Sequence, residues 1–155
     1  MFLVNNILTG TRPCFFDIKR RLLNSIGYKI GEGTKIVGPI YCTGDLSIGK
    51  DCWIGTNLHV HGNGIVIIGD SCDLGPEVRF LTGTHEIGPI ERRAGKGYNT
   101  TIQISSGCWI GGCSTFVNDI TIGKSSVIAA CALVCKSVEG NTLAGGIPAK
   151  AIKKL

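Results

Sequence analysis

The chain has 155 residues, 23 glycines, eight cysteines and a formal net charge of +5, a length that suits one domain with a continuous core. No basic run is interleaved with aromatics, which argues against nucleic-acid binding, and no apolar run approaches the ~18 residues of a spanning helix. The charge excess is spread along the chain and heaviest at Lys150, Lys153 and Lys154, which suits a phosphate-bearing cofactor better than a polyanion.

The opening MFLVNNILTG is too short and too polar for a signal peptide, and residues 1–14 carry no pattern. Phe15, Ile18, Leu22, Leu23 and Ile26 then fall at helical spacing, with Asp17, Lys19, Arg20 and Arg21 on the wet face and Gly27 as the stop. The expectation for 1–28 is an arm and a short helix that caps the open end of the strands beyond it, since bare strand edges need cover. A membrane-surface helix is the competing reading, and it leaves a peripheral membrane contact open.

From Ile30 an aliphatic recurs every six residues: Ile36, Cys42, Ile48, Ile54 and Val60, then, after two extra residues, Ile68, Leu74 and Phe80. The run resumes as Ile104, Ile110, Phe116, Ile122, Ile128 and Val134, each followed four residues later by a smaller or β-branched residue. Six is neither the helical nor the strand period. It marks a solenoid of short parallel strands, with three hexads to a triangular turn and about five turns, stacking to roughly 24 Å. Cys52, Cys72 and Cys108 fall at the small inward position, Cys42 at the large one, and none forms a CxxC pair or a zinc pattern with histidine. They read as small hydrophobes in a reducing compartment. The solenoid is expected over 29–140, interrupted by an aperiodic loop at 86–103 directly after His85, with a C-terminal tail over 141–155. A loop of that length beside a histidine suggests a lid or binding arm.

The segments GTHEIG, CWIGG, ITIGKSSVIAACALVCKSV and AGGIPAKAIKKL, in that order, resemble the hexapeptide-repeat acyltransferases. Within them the pattern is similar to the maltose and galactoside O-acetyltransferases and the polysaccharide O-acetyltransferases, from about Ile30 to the C-terminus and most specifically from Ile104 to Lys153. The resemblance implies an all-β solenoid, a left-handed parallel β-helix of about five triangular coils with a short N-terminal helix and a protruding loop. It further implies a cytoplasmic homotrimer with sites between neighbouring subunits, acetyl-CoA as co-substrate, no metal, and acetyl transfer to a carbohydrate hydroxyl.

His85 matches the family's catalytic histidine, the general base that a weakly nucleophilic hydroxyl requires; Glu86 is a candidate to orient its ring. Asn57 and Trp109 match acceptor-site positions, the amide able to hold a hydroxyl either way and the indole offering a flat wall. For acetyl-CoA, Gly112 and Ala130 match positions facing the pantetheine arm, and Cys135 and Lys136 the adenine end. Cys135 departs from the Thr common there. Lys150 and Lys153 stand where basic residues meet the CoA phosphates, as point charges rather than forks. Other readings are N-acetyl transfer to an amino sugar or small molecule, and a non-catalytic trimeric solenoid. A γ-class carbonic anhydrase is disfavoured, because His59, His61 and His85 lack its zinc-binding spacing.

Overall fold

The computed structural model describes residues 1–155. Its body is a triangular prism of parallel strands, each face one sheet. The first face stacks Lys29–Ile30, Asp45–Ile48, Ile65–Ile68, Thr101–Ile104 and Ile120–Ile122. The second stacks Lys35–Ile36, Trp53–Ile54, Asp73–Leu74, Trp109–Ile110, Val127–Ile128 and Thr142–Gly146, and the third Ile40–Cys42, Leu58–His61, Arg79–Leu81, Thr115–Val117 and Leu133–Val134. Strands so short cannot bury a core singly. Stacking lines up like side chains, so that Ile36, Ile54, Leu74, Ile110 and Ile128 form one sealed column. Phe80 lies on Phe116 with ring centres 5.1 Å apart. Each fully buried aliphatic contributes about 1.5–3 kcal/mol. Cys52, Cys72 and Cys108 are buried as expected, and Cys42 is half-buried.

Corners are where the backbone of successive turns comes closest. A Cβ on Gly111 would strike the Ala130 backbone nitrogen, so only glycine fits there. The coil runs longer than five turns. After Val134 the period shortens by two residues: Val138 bridges to Ile122, and Thr142–Gly146 adds a sixth strand to the second face. Ala149–Lys154 then folds back antiparallel on that strand, covering its edge.

The N-terminal segment caps all three sheet edges, each by a different device. Asn24 pairs its amide with both backbone groups of Ile30, at 2.7 and 3.0 Å, as a neighbouring strand would. Asn5 does the same to Ile40, at 2.7 and 3.0 Å. At the second face the Val37 carbonyl accepts from Gly10 N–H at 3.0 Å and from Lys19 Nζ at 3.0 Å.

Lys19 is therefore not on the wet face: it is fully buried, with Nζ also donating to the Gly10 carbonyl at 3.0 Å and lying 4.9 Å over the Phe16 ring. The helix, Pro13–Ser25, is rotated accordingly. It presents Phe16, Lys19 and Leu23 to the coil and leaves Ile18 and Ile26 exposed. The sheet edge needs a donor more than it needs another aliphatic. Gly27, at φ +103°, ends the helix, with Tyr28 N–H bonding to Leu23 and Gly27 N–H to Asn24. No helix is long and apolar enough to cross a membrane.

The aperiodic stretch is a two-stranded antiparallel arm, Gly83–Ile87 with Ala94–Asn99. It springs from the corner between the third and first faces. Its ends meet where Thr100 N–H bonds to the Thr82 carbonyl at 2.8 Å, both threonines being buried. His85 thus lies inside the arm rather than before it. Residues 101–103, expected in the loop, belong to a first-face strand, since Ile102 is buried beside Ile104.

Candidate active site

Two interruptions of the six-residue period meet at one corner. The first is the pair of extra residues between Val60 and Ile68, which widens the corner at 62–64. The second is the arm. They come so close that a Cβ on Gly62, at φ +97°, would collide with the backbone nitrogen of Gly83. Between them lies a hollow of about 270 Å³ bordered by Asn63, Thr84, His85, Gly97, Tyr98 and Asn99.

His85 is exposed to this hollow, and its ring lies against bare Gly97 on the partner strand. Its Nδ1 is 2.9 Å from the Gly95 carbonyl. A carbonyl can only accept, so in the neutral ring Nδ1 carries the proton and Nε2 the lone pair. The orienting group is this backbone oxygen rather than Glu86. The arm therefore supplies both the imidazole and the group that fixes its tautomer. Asn63, Tyr98 and Asn99 were not singled out by sequence. Their one signal was the two-residue slip, which puts Asn63 opposite the arm.

The other candidates lie elsewhere on the chain. Asn57, at φ +56° on the corner between the second and third faces, donates through Nδ2 to Glu77 Oε1 at 2.6 Å. Glu77 Oε2 in turn takes Arg79 at 3.0 Å. The amide is thereby turned so that its oxygen stays available as an acceptor. Trp109 projects from the second face, 60% exposed, and buttresses no core. Gly112 and Ala130 sit one above the other on the same corner as Asn57, joined by Cys131 N–H to the Gly112 carbonyl at 2.9 Å.

Cys135 and Lys136 are on the corner between the third and first faces, where Asn118 Nδ2 donates to the Cys135 carbonyl at 3.1 Å. Lys136, Lys150 and Lys153 come together around a second hollow of about 590 Å³ at the C-terminal end. The carboxylate there, Glu139, is occupied by Lys154 at 2.6 Å, and that hydrogen bond and charge hold it below the usual carboxylate range. Three ammonium groups are left uncompensated, an arrangement suited to anionic oxygens. One chain thus gathers His85 with three unforeseen polar residues, and three of the cofactor candidates with each other. It does not bring His85 to Trp109 on the second face, nor to Asn57, Gly112 or Ala130, which lie on another edge of the prism. No group of three or more potential metal ligands occurs.

Comparison with known proteins supplies the context for these two hollows. The chain is 31% identical to a galactoside O-acetyltransferase of Lactococcus lactis over 97% of its own length and 72% of the relative's. To the galactoside O-acetyltransferase of Escherichia coli it is 26% identical, over 94% of this chain and 72% of that one. A hexapeptide-repeat acetyltransferase from Vibrio cholerae, solved in complex with acetyl-CoA, superposes with a TM-score of 0.81 at 29% identity, covering 90% of this chain and 78% of that one. A galactoside acetyltransferase in complex with coenzyme A shares the fold, with a TM-score of 0.75 at 24% identity over 95% of this chain and 74% of that one. No family model matches.

Proposed function

The chain belongs to the hexapeptide-repeat acetyltransferases, and from that premise we propose that it carries acetyl from acetyl-CoA to a carbohydrate hydroxyl, with His85 as general base. Its coil is the left-handed parallel β-helix of that family. The observation that carries the reading is the Nδ1 contact of His85 with the Gly95 carbonyl, because it leaves Nε2 able to take the hydroxyl proton. General-base help of this kind typically contributes ~10²–10⁴ in rate.

Acetyl-CoA supplies the thioester. Around it, Gly112 and Ala130 present bare backbone on adjacent turns to an extended amide-bearing arm, and Cys135 and Lys136 border its adenine end. Lys150 and Lys153 meet phosphate oxygens in the C-terminal hollow. Asn63, Tyr98 and Asn99 hold acceptor hydroxyls beside His85, and the free oxygen of Asn57 accepts from another, with Trp109 as an apolar wall.

Because His85 and the corner bearing Asn57, Gly112 and Ala130 lie on different edges of one prism, we place the working site between copies in a homotrimer. There the arm of one subunit faces the corner of the next. Eight free cysteines suit work in the cytoplasm, where acetyl-CoA is made and thiols stay reduced. The test is CoA release from acetyl-CoA over a panel of sugars, with the product identified by mass as a base-labile ester. Turnover in His85→Ala equal to the parent would remove the base. A monomer in light scattering that still transfers acetyl would remove the shared site.

A further inference from the structure

The eight cysteines fall into distinct settings. Cys52, Cys72 and Cys108 are sealed in the core, whereas Cys113 and Cys131 are exposed. These two stand one full turn apart on the corner between the second and third faces. The strand pairs on either side of them are in register, Ile110 with Ile128 before and Thr115 with Leu133 after. Both have φ +60°. Cys131 N–H donates to the carbonyl immediately before Cys113 at 2.9 Å, and Cys113 N–H repeats that bond to Pro76 one turn lower at 2.8 Å.

The same column continues downward as Glu77 and Asn57, at φ +60° and +56°, and those two side chains touch at 2.6 Å. Side chains on neighbouring turns of this column therefore reach one another. A rung spacing of about 4.8 Å lies within the roughly 4.4–6.8 Å between Cα atoms that a disulfide bridges. Matching φ values aim the two Cβ bonds alike, so the Cβ atoms stand about one rung apart. Closing the bond draws the two turns together by a few tenths of an ångström, to reach the roughly 3.5–4.5 Å between Cβ atoms of a disulfide.

We propose that Cys113 and Cys131 are a dithiol modification site that exchanges with a low-molecular-weight disulfide and closes one bond across two turns of the coil. In the first step one cysteine thiolate attacks a sulfur of the small disulfide. That S–S bond breaks, and one small thiolate leaves and takes up a proton. In the second step the other cysteine thiolate attacks the mixed disulfide at its own partner's sulfur and expels the second small thiol. The two cysteines are oxidised by two electrons in all, and the small disulfide is reduced to two thiols that carry the two protons. Gly112 and Ala130 immediately precede the two cysteines. One consequence thus rests on the proposed function: acetyl-CoA lying along those residues covers both thiols and slows the exchange.

Oxidised glutathione is the probe, applied to the folded full chain carrying Cys14→Ser, since Cys14 is also exposed. Intact mass and peptide mapping are expected to show the loss of two hydrogens and a Cys113–Cys131 link. Cys113→Ser and Cys131→Ser should each stop at one retained glutathione. Two glutathiones on the parent, or no reaction at these positions, overturns the pair. Saturating acetyl-CoA, which has no free thiol, should slow closure several-fold. Closure at an unchanged rate would overturn the placement of the cofactor at Gly112 and Ala130 while leaving the dithiol in place.

Discussion

From Ile104 to Val134 every sixth side chain is buried and stacks on its equivalents one turn away, whereas from Gly83 to Asn99 not one residue is buried. The coil is held by repetition; the arm is held by one ladder of backbone bonds and by its closure at Thr82 and Thr100. Side chains of the arm are therefore free of packing duties, and His85 can be placed by a single carbonyl. If this division is right, damage to the two regions should separate cleanly into lost chemistry and lost stability.

The largest effect is expected in the arm. His85→Ala should lower turnover by ~10²–10⁴, with a nearly unchanged thermal midpoint because the ring is exposed and its one hydrogen bond, to the Gly95 carbonyl, lies within the arm and outside the core. A drop in midpoint comparable to that of a core substitution would break the comparison. The converse is Phe116→Ala in the coil, where the ring is fully buried against Phe80. It should cost about 3–5 kcal/mol in denaturant unfolding, while the molecules that remain folded keep the parent KM for acetyl-CoA.

The coil was legible because an inward position repeats whatever its neighbours do, so chance polar residues do not obscure it. Features that depend on a break in the period were not. The sixth turn was hidden by the two residues missing between Val134 and Val138, which shift every later position off the six-residue grid. The group that orients His85 is a backbone oxygen, for which no residue type is a sign. Asn63, Tyr98 and Asn99 become neighbours only when two separate interruptions meet, and a slip of two residues was the one trace of that in the sequence. Lys19 was misplaced because a pattern of apolar and charged residues assigns every lysine to water, whereas the first edge of a sheet demands donors.

Lys19 sharpens the comparison at the coil's open end, where repetition stops and a side chain must replace the missing strand. Lys19→Ala should destabilise by about 2–4 kcal/mol, from the cavity and from carbonyls left short of a donor. The pH dependence is more specific. Burial lowers the folded-state pKa of Lys19 to about 8, against 10.5 when unfolded. Between those values the unfolded chain holds a proton that the folded chain has released, so stability rises with pH; below about 8 the full cost of the buried charge is present. Tyr28 acts in the opposite sense, since burial and then Cys42 raise it from 10.0 to about 12 and stability falls through that interval. The parent should thus gain stability above pH 8 and lose it again above 10. Lys19→Met should lack the gain and keep the loss. A gain that survives in Lys19→Met would assign it to another group.

The smallest effect is expected where the chain turns back at its C-terminal end. Lys136, Lys150 and Lys153 border one hollow, but all three are exposed, so water and salt screen each of them. A single exposed charge contact contributes on the order of 0.2–1 kcal/mol, so Lys150→Ala should raise the KM for acetyl-CoA by at most about five-fold and leave kcat alone. Added salt should bring the parent's KM up toward that of the variant. Glu139 provides an internal control, because Lys154 occupies its carboxylate at 2.6 Å. Lys154→Ala would free that carboxylate to face the other three lysines and should raise KM as well, though Lys154 need touch no phosphate itself. If Lys150→Ala changes kcat instead of KM, the C-terminal hollow belongs to the chemistry, and the division between a scaffold and its interruptions would have to include a third working region.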